Sequence, residues 1–581
     1  MIISHPGNYV EMGKKYGVSP VIARIIRNRG LTSDEEIRDF LNKNPGRLSD
    51  PAFSGHKLPD MDRAVKLIKE KITEGKKIRI VGDYDIDGIS SVYILVKGIG
   101  KAGGRVDHYI PKRVRDGYGL NTGIITEAKD EGTDTIITCD NGISAVEEIK
   151  LAKSLGMAVV VTDHHQIPFH LLGENRIEDL PPADAVVDPH RENCEYPFKS
   201  ICGAVVAYKL ILCLYEEMGI DLKEAYEFLE IAAFATVGDV MPLLGENRIL
   251  VSEGLRRLEG TENPGLKSLI SLSQLEGRSL TPYHIGFVLG PCLNAAGRLD
   301  DAENALQLLL SEGGNDSREK AVSLKEMNEE RKLMTEKGTD KALEIAGSLE
   351  YENDTVLVIC LEDCHESIAG IVAGRVRERT GRPAFILTPG STPEGEECLK
   401  GSGRSIPGYH MFEEMSRVKE LFLRFGGHAM AAGLSIKREN AGELRQRLNE
   451  NSSLTEEDVK IRVDIDMELP FSLINKDLIE KLETLKPFGT GNPRPVFAAQ
   501  NVEMENLRIF GKTNNVLKGR ASDGRGVSFD CVYFGEDAPE KKDRIEELQR
   551  NGKKLKMVFS PEINEFQGKR SIQIIIERLK A

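Results

Sequence analysis

The chain has 581 residues, 40% of them hydrophobic and 29% charged, which describes a folded protein of several domains and excludes disorder, collagen-like repeats and a disulfide scaffold. Lys and Arg number 78 against 92 Asp and Glu, a formal charge of −14 that excludes coating nucleic acid by bulk charge but not an enzyme with a local basic groove. Nine cysteines without a C-x-x-C pair read as reduced thiols and not as a zinc site. The opening Met1-Ile2-Ile3-Ser4-His5-Pro6 has no charged segment followed by an apolar one, and no apolar run approaches the roughly 20 residues of a membrane span. A cytoplasmic protein without membrane contact is expected.

In chain order, residues 1–60 are expected to form an N-terminal helical extension. Compact β-branched runs follow at Lys77–Val81, Asp134–Thr138, Ala158–Val161 with Thr162, and Ala183–Val187, with an extra strand at Val106–Ile110. Helix-like segments such as Ile89–Lys101 and Ile143–Leu155 separate the first three, which predicts βαβ units and a parallel sheet over residues 61–314. Each of the four runs leads within two residues to an aspartate: Asp83, Asp140, Asp163 or Asp188. One such Asp is ordinary capping; four in succession predict a site at the carboxyl edge of the sheet. Residues 315–349 read as one long, charged connecting helix capped by Asn315, Asp316 and Ser317. A second α/β block is expected at 350–455, and a small β-barrel at 456–581, with strands such as Val527–Phe534 and Ile572–Ile576.

Gly82-Asp83-Tyr84-Asp85-Ile86-Asp87-Gly88 follows the first strand, so its three carboxylates share a face if the chain stays extended. Together they are costly unless cations neutralise them. An EF-hand loop is the rival reading, but it needs a preceding helix and a Glu at its twelfth position, here Ile94. Asp163-His164-His165 adds two imidazoles, one able to ligate and the other to orient. Asp239 ends another apolar stretch, Ile231–Val237. Oxygen donors with one or two imidazoles suit Mn²⁺ or Mg²⁺, and two such ions can cleave a phosphodiester.

Asp83-Tyr84-Asp85-Ile86-Asp87-Gly88, Asp140-Asn141-Gly142, Asp163-His164-His165 and Gly238-Asp239 stand in the order of the motifs of the DHH phosphoesterases, and Gly426-Gly427-His428 resembles the mark of that superfamily's associated C-terminal domain. With Asn294-Ala295-Ala296-Gly297-Arg298, Gly401–Gly408 and Pro487–Pro493, the chain from about Ile78 onward resembles the superfamily's bacterial branch of single-strand-specific 5′→3′ DNA exonucleases. That resemblance implies a DHH domain, a DHH-associated domain and a C-terminal OB-fold, acting on single-stranded DNA in recombination and repair. It implies that Asp83, Asp85, Asp87, Asp140, His164 and Asp239 hold two Mn²⁺ or Mg²⁺ ions, Asp140 bridging them, with His165 and Asp163 supporting the site. By the same analogy Arg113, Arg298, Ser402, Arg404 and His428 contact phosphates. The run Cys364–Val372 departs slightly from the glycine-rich stretch expected there.

The last stretch, Leu507–Ala581, carries 16 Lys and Arg against 11 Asp and Glu, so the barrel is locally basic. Without tryptophan, base stacking there falls to Phe510, Tyr533 or Phe566. A helicase and a single-strand-binding protein are the expected protein partners of a chain acting as a monomer. The rival functions are a phosphodiesterase for oligoribonucleotides or cyclic dinucleotides, against which the barrel argues, and a non-catalytic DNA-binding replication scaffold, against which the intact acidic set argues.

Overall fold

The structure, a computed structural model, describes residues 2–3, 5–113, 115–117, 119–173, 175–392, 395–511, 513–566 and 569–580. Strands β1 (Lys77–Val81), β2 (Arg105–Tyr109), β3 (Thr135–Cys139) and β4 (Ala158–Thr162) are followed by a small ribbon, β5 (Phe169–Leu172) with β6 (Asn175–Glu178), and then by β7 (Ala185–Val187). The first sheet has the order β2-β1-β3-β4-β7 and is parallel throughout. Its strands are β-branched at successive positions because both faces are covered. Ile78, Ile80, Ile137 and Val160 pack on one side, and Val81, Ile136, Val159 and Val161 on the other. Strand order reverses between β1 and β3, which opens a crevice at their carboxyl ends. Asp83 and Asp140 flank that crevice.

The second predicted helix starts later than expected, at Val146–Ser154, and the first earlier, at Ile86–Lys101. The early start corrects the expectation of one extended acidic face. Asp85 accepts hydrogen bonds from the amides of Asp87 and Gly88 at 3.0 and 3.1 Å, which satisfies orphan donors and turns the chain into helix.

The connecting helix runs Gly314–Ala346, 33 residues and about 50 Å. It begins after Gly313 (φ 109°), so Asn315, Asp316 and Ser317 lie inside its first turn instead of capping it. Its early residues Ala321 and Leu324 join the first core, while Ala342 and Ala346 join the second block, so it belongs to both. That block carries β8 (Leu357–Cys360), β9 (Ala384–Ser391), β10 (Glu397–Arg404), β11 (Phe422–Gly427) and β12 (Ala431–Ile436) in the order β11-β12-β10-β9-β8.

The last block holds β13 (Met467–Glu468), β14 (Phe497–Phe510), β15 (Val516–Ser522), β16 (Ser528–Phe534), β17 (Leu555–Phe566) and β18 (Lys569–Lys580). Pairing of β14 with β17 closes the ring β14-β15-β16-β18-β17, with helix Ala538–Arg550 between β16 and β17 in the chain. A closed five-stranded ring is the expected OB-fold arrangement. Helices Pro20–Asn28 and Asp34–Leu41 bury Ile22, Ile25, Ile26, Ile37 and Phe40 against this barrel, so the chain's first helices share the core of its last block. Among the described residues no helix is long and apolar enough to cross a membrane.

Arg248 locks these parts together. Its buried guanidinium donates to the carbonyls of Phe40, Thr484, Leu485 and Pro487, and burial pushes its pKa down to about 10. Arg248→Met leaves those carbonyls without their donor, at a cost on the order of 3 kcal/mol. A lower urea midpoint, with faster proteolysis of the 484–493 segment, is the expected result.

Candidate metal centre

All seven predicted catalytic residues meet at the carboxyl edge of the first sheet. Their ligand atoms fall into three overlapping groups, each spanning no more than 4.8 Å: Asp83, Asp85 and Asp140; Asp87, His164 and Asp239; and Asp140, His164 and His165. His164 Nε2 lies 3.1 Å from Asp140 Oδ1, 3.5 Å from Asp87 Oδ2 and 3.8 Å from Asp239 Oδ2, so the groups are contiguous.

Each carboxylate is positioned by its own element. Asp83 follows β1 by two residues and is buried, its Oδ1 without a hydrogen-bond partner among the described residues. Asp140 follows β3 with φ 59°, a left-handed conformation uncommon outside Gly, Asn and Asp. Asp87 accepts from the amides of Gly203 (2.6 Å) and Ala204 (2.8 Å), at the amino end of helix Gly203–Met218, where partial positive charge favours an anion. Asp239 caps the carboxyl end of helix Phe228–Gly238. Asn141 ties the crevice shut from below by donating to the carbonyls of Val81 and Cys139.

Electrostatically the cluster is frustrated. Burial, then repulsion from neighbouring carboxylates, pushes Asp83, Asp85 and Asp140 above the usual carboxylate range and Asp239 up to about 8. Burial holds His164 below its ordinary value, in the neutral form that ligates metal. The donor set therefore fits divalent cations: oxygen-rich, with a neutral imidazole and an uncompensated buried carboxylate. His165 and Asp163 take the supporting positions. Asp163 Oδ1 accepts from His165 Nδ1 at 2.7 Å and its Oδ2 from the amide of Ile143. Burial opposes it, but that pairing holds His165 up at about 9 and Asp163 below its usual range. Asp188 stands at the same edge, outside the three groups, with His190 as its partner.

The phosphate candidates line the adjoining face. Arg113 lies over the Tyr84 ring at 5.1 Å, whereas Lys112 and Arg115 in the same loop are ion-paired to Asp301 and Asp116. Arg298 donates to the Ser367 carbonyl at 3.1 Å. Ser402 and Arg404 share one face of β10, over helix Ala369–Thr380. A Cβ on Gly370 would lie 2.9 Å from Arg404 Nη2, so that glycine makes room for the guanidinium. Ser367 and Gly370 both belong to the departing run Cys364–Val372, which thus positions two arginines. His428 and His165 face a shared cavity of about 500 Å³. Burial, then repulsion from Arg113 and Arg331, pushes Arg298 down to about 10. Burial, then Arg375, lowers Arg331. None of Arg113, Arg298, Arg331, Arg375 and Arg404 has a carboxylate within ion-pair distance among the described residues.

Sequence reasoning missed Arg331 and Arg375, hidden in charged helical runs, and the amides of Gly203 and Ala204, which carry no side-chain signal. Gly203 itself is testable: an added Cβ would stand 2.8 Å from Asp140 Cβ. Gly203→Ala is expected to displace Asp140 and lower Mn²⁺ affinity by roughly 10–100-fold in calorimetry.

Three family models match: the DHH family N-terminal domain over 77–236, the DHHA1 domain over 353–453 and the RecJ OB domain over 465–578. The class is thus a DHH-family protein with an associated DHHA1 domain and an OB domain. The single-stranded-DNA-specific exonuclease RecJ of Bacillus subtilis is 34% identical over 562 residues, 96% of this chain and 68% of that protein. The enzyme of the same name from Escherichia coli is 33% identical over 582 residues, 96% of each chain. The crystal structure of Thermus thermophilus RecJ in complex with Mn²⁺ superposes with a TM-score of 0.79 at 26% identity, covering 100% of this chain and 79% of that one. The chain belongs to the RecJ family.

Proposed function

We propose that the protein is a single-stranded-DNA-specific exonuclease that removes 5′-mononucleotides in the 5′→3′ direction, using two Mn²⁺ or Mg²⁺ ions, in DNA recombination and repair. The observation that carries this is the pair of ligand groups, Asp83/Asp85/Asp140 and Asp87/His164/Asp239, joined where His164 meets Asp140 and flanked by arginines that have no carboxylate within ion-pair distance among the described residues. Residues 61–314 are the catalytic domain, 315–349 the connecting helix, 350–455 the DHHA1 domain and 456–581 the OB domain, with 1–60 a helical extension.

Bound by those six residues, the cations supply nucleophile activation and neutralise charge developing on the cleaved phosphate. Asp140 belongs to two of the ligand groups, so its carboxylate would be within reach of both cations. Asp87 is fixed by two backbone amides and His165 by Asp163, so the ligand shell is set before substrate arrives. Arg113, Arg298, Ser402, Arg404 and His428 hold the terminal 5′-phosphate, the arginines by paired N–H bonds to its oxygens. Water attacks the phosphorus of the second nucleotide and the P–O3′ bond to the first breaks. The shortened strand then carries a new 5′-phosphate for the same arginines. Nine cysteines without a disulfide among the described residues support a cytoplasmic setting. A helicase and a single-strand-binding protein are its natural partners, because the substrate must be unwound and kept single.

Incubating the protein and Mn²⁺ with a linear single strand, a closed circle of the same sequence and a blunt duplex tests the reading. Only the linear strand is expected to be digested, and only without chelator. Digestion of the circle would make it an endonuclease, and equal digestion of the duplex would remove strand specificity.

A further inference from the structure

Arg298 closes the run Asn294-Ala295-Ala296-Gly297-Arg298, and the residues before it hold the ligand loop. The run lies on helix Gly290–Leu299, which is entered through a π-helical turn, Ile285–Leu289, of the kind found at functional sites. Asn294 Oδ1 accepts from the Ile86 amide at 2.9 Å. That amide stands between Asp85 and Asp87. Of the first three amides of helix Ile86–Lys101 it is the one that Asp85 does not hold. Three residues on, a Cβ on Gly297 would lie 2.3 Å from the Tyr84 carbonyl oxygen, so glycine lets the helix press its backbone against the loop. A Cβ on Gly290 or Gly238 would lie 3.0 or 2.5 Å from Ile86 Cδ1. The loop that presents Asp85 and Asp87 is packed without slack.

The same turn of helix reaches the phosphate face. Asn294 and Arg298 stand four residues apart and so lie on one side of the helix. Arg298 Nη1 donates to the Ser367 carbonyl, in the second block. Cys292 Sγ accepts from Asn328 Nδ2 of the connecting helix at 3.6 Å, and Asn328 Oδ1 accepts from Arg331 Nη2 and Nε at 2.9 and 3.1 Å. Two of the arginines without a carboxylate in reach therefore bear on one helix, Arg298 directly and Arg331 through Asn328. Ala295 and Ala296 are fully buried between them. A close-packed interior passes a displacement on and does not absorb it.

We propose that Asn294 is a positioning residue that couples a 5′-phosphate held at Arg298 to the arrangement of the ligands Asp85 and Asp87. The proposal rests on the exonuclease reading for its substrate and adds regulation within that site. An anion at Arg298 competes with the Ser367 carbonyl for the guanidinium, and the side chain that moves is one turn from the side chain that holds the Ile86 amide. By linkage the effect is reciprocal, so filled cation sites tighten the hold on a 5′-phosphate. A strand end without that phosphate binds but leaves the ligand loop unset. The phosphate is then a condition for cutting and not only a handle.

The test is calorimetry of Mn²⁺ binding to the full chain in the presence of an oligothymidylate whose first linkage is an uncharged methylphosphonate, so that nothing is cut. Two forms of this strand are compared, one ending in a 5′-phosphate and one in a 5′-hydroxyl. The phosphate is expected to raise Mn²⁺ affinity by about 5–150-fold. In Asn294→Leu, close in size but unable to accept from Ile86, the two strands are expected to give the same Mn²⁺ affinity. Asn294→Asp keeps the accepting oxygen and is expected to keep the difference. If the leucine variant does not fold, Asn294→Ala removes the acceptor without adding bulk and carries the same expectation. With chelator present, both strands are expected to bind all variants as they bind the intact protein, because Asn294 acts through the loop and not on the strand. Equal Mn²⁺ affinities with the two strands in the intact protein would overturn the proposal before any variant is made. A difference that survives in Asn294→Leu would overturn it as well. A protein that shows the phosphate-dependent affinity yet digests no strand would instead sink the exonuclease reading and leave the coupling standing.

Discussion

Asp140→Asn is expected to lower the rate of strand digestion by at least about 10³-fold, roughly 4 kcal/mol of transition-state stabilisation, while raising the melting temperature of the metal-free protein. Both effects have one cause. The amide keeps the size of the carboxylate, and Asn tolerates the left-handed backbone at φ 59° about as well as Asp, so the fold is undisturbed. What disappears is one negative charge from a buried set that includes Asp83, Asp85 and Asp87. With cations that charge is a ligand; without them it is repulsion. Since the folded-state pKa values of Asp83, Asp85, Asp140 and Asp239 are raised, the native state binds more protons than the unfolded chain above the ordinary carboxylate range. Metal-free stability is therefore present at acid pH and lost as pH rises through the folded values, for Asp239 through about 8. Scanning melting temperature from pH 5 to 9 should show a fall that Mn²⁺ abolishes and that the Asn variant shows less of. A substitution that destabilised the metal-free protein would mean that Asp140 is held by structure and not for metal.

Arg404→Met should separate binding of the strand's end from the chemistry. Arg404 sits in a slot opened by Gly370, with burial and then Arg377 and Arg113 lowering its pKa. Losing charge-assisted bonds to a 5′-phosphate costs about 1.5–3 kcal/mol, which is roughly a 10–150-fold fall in kcat/KM on 5′-phosphorylated strands. Strands with a 5′-hydroxyl should lose only a few-fold, and the salt dependence of binding should flatten by about one phosphate contact. Equal losses on both substrates would place Arg404 in the support of the DHHA1 domain and not at the strand's end.

Much of the centre was legible because parallel strands put their carboxyl ends on one edge. Asp83, Asp140, Asp163 and Asp188 each follow a strand, and all four stand there. The convergence of Asp87 and Asp239 was visible only through motif order, since both are positioned by helices whose partners are distant in sequence. The turn at Asp85 was hidden because capping competes with extension and the sequence alone does not say which wins. In the barrel, parity decided the matter. Tyr533 was expected to stack on bases but is buried, its hydroxyl donating to Asp537, while its neighbour Phe534 faces out. A strand turns adjacent residues to opposite faces, so an error of one position is complete. Of the other two candidates, Phe510 is exposed beneath Lys518, and the side chain of Phe566 lies outside the described residues. The joining of the first helices to the last barrel left no local signal, because it is made by apolar burial and by Arg248.

Product analysis on a 5′-end-labelled single strand with Mn²⁺ tests the central claim most directly. The label is expected to appear as mononucleotide from the earliest time point, and at least about 10³-fold more slowly with Asp140→Asn. A ladder of labelled strands shortening from the other end, or label released equally by the Asn variant, would contradict it.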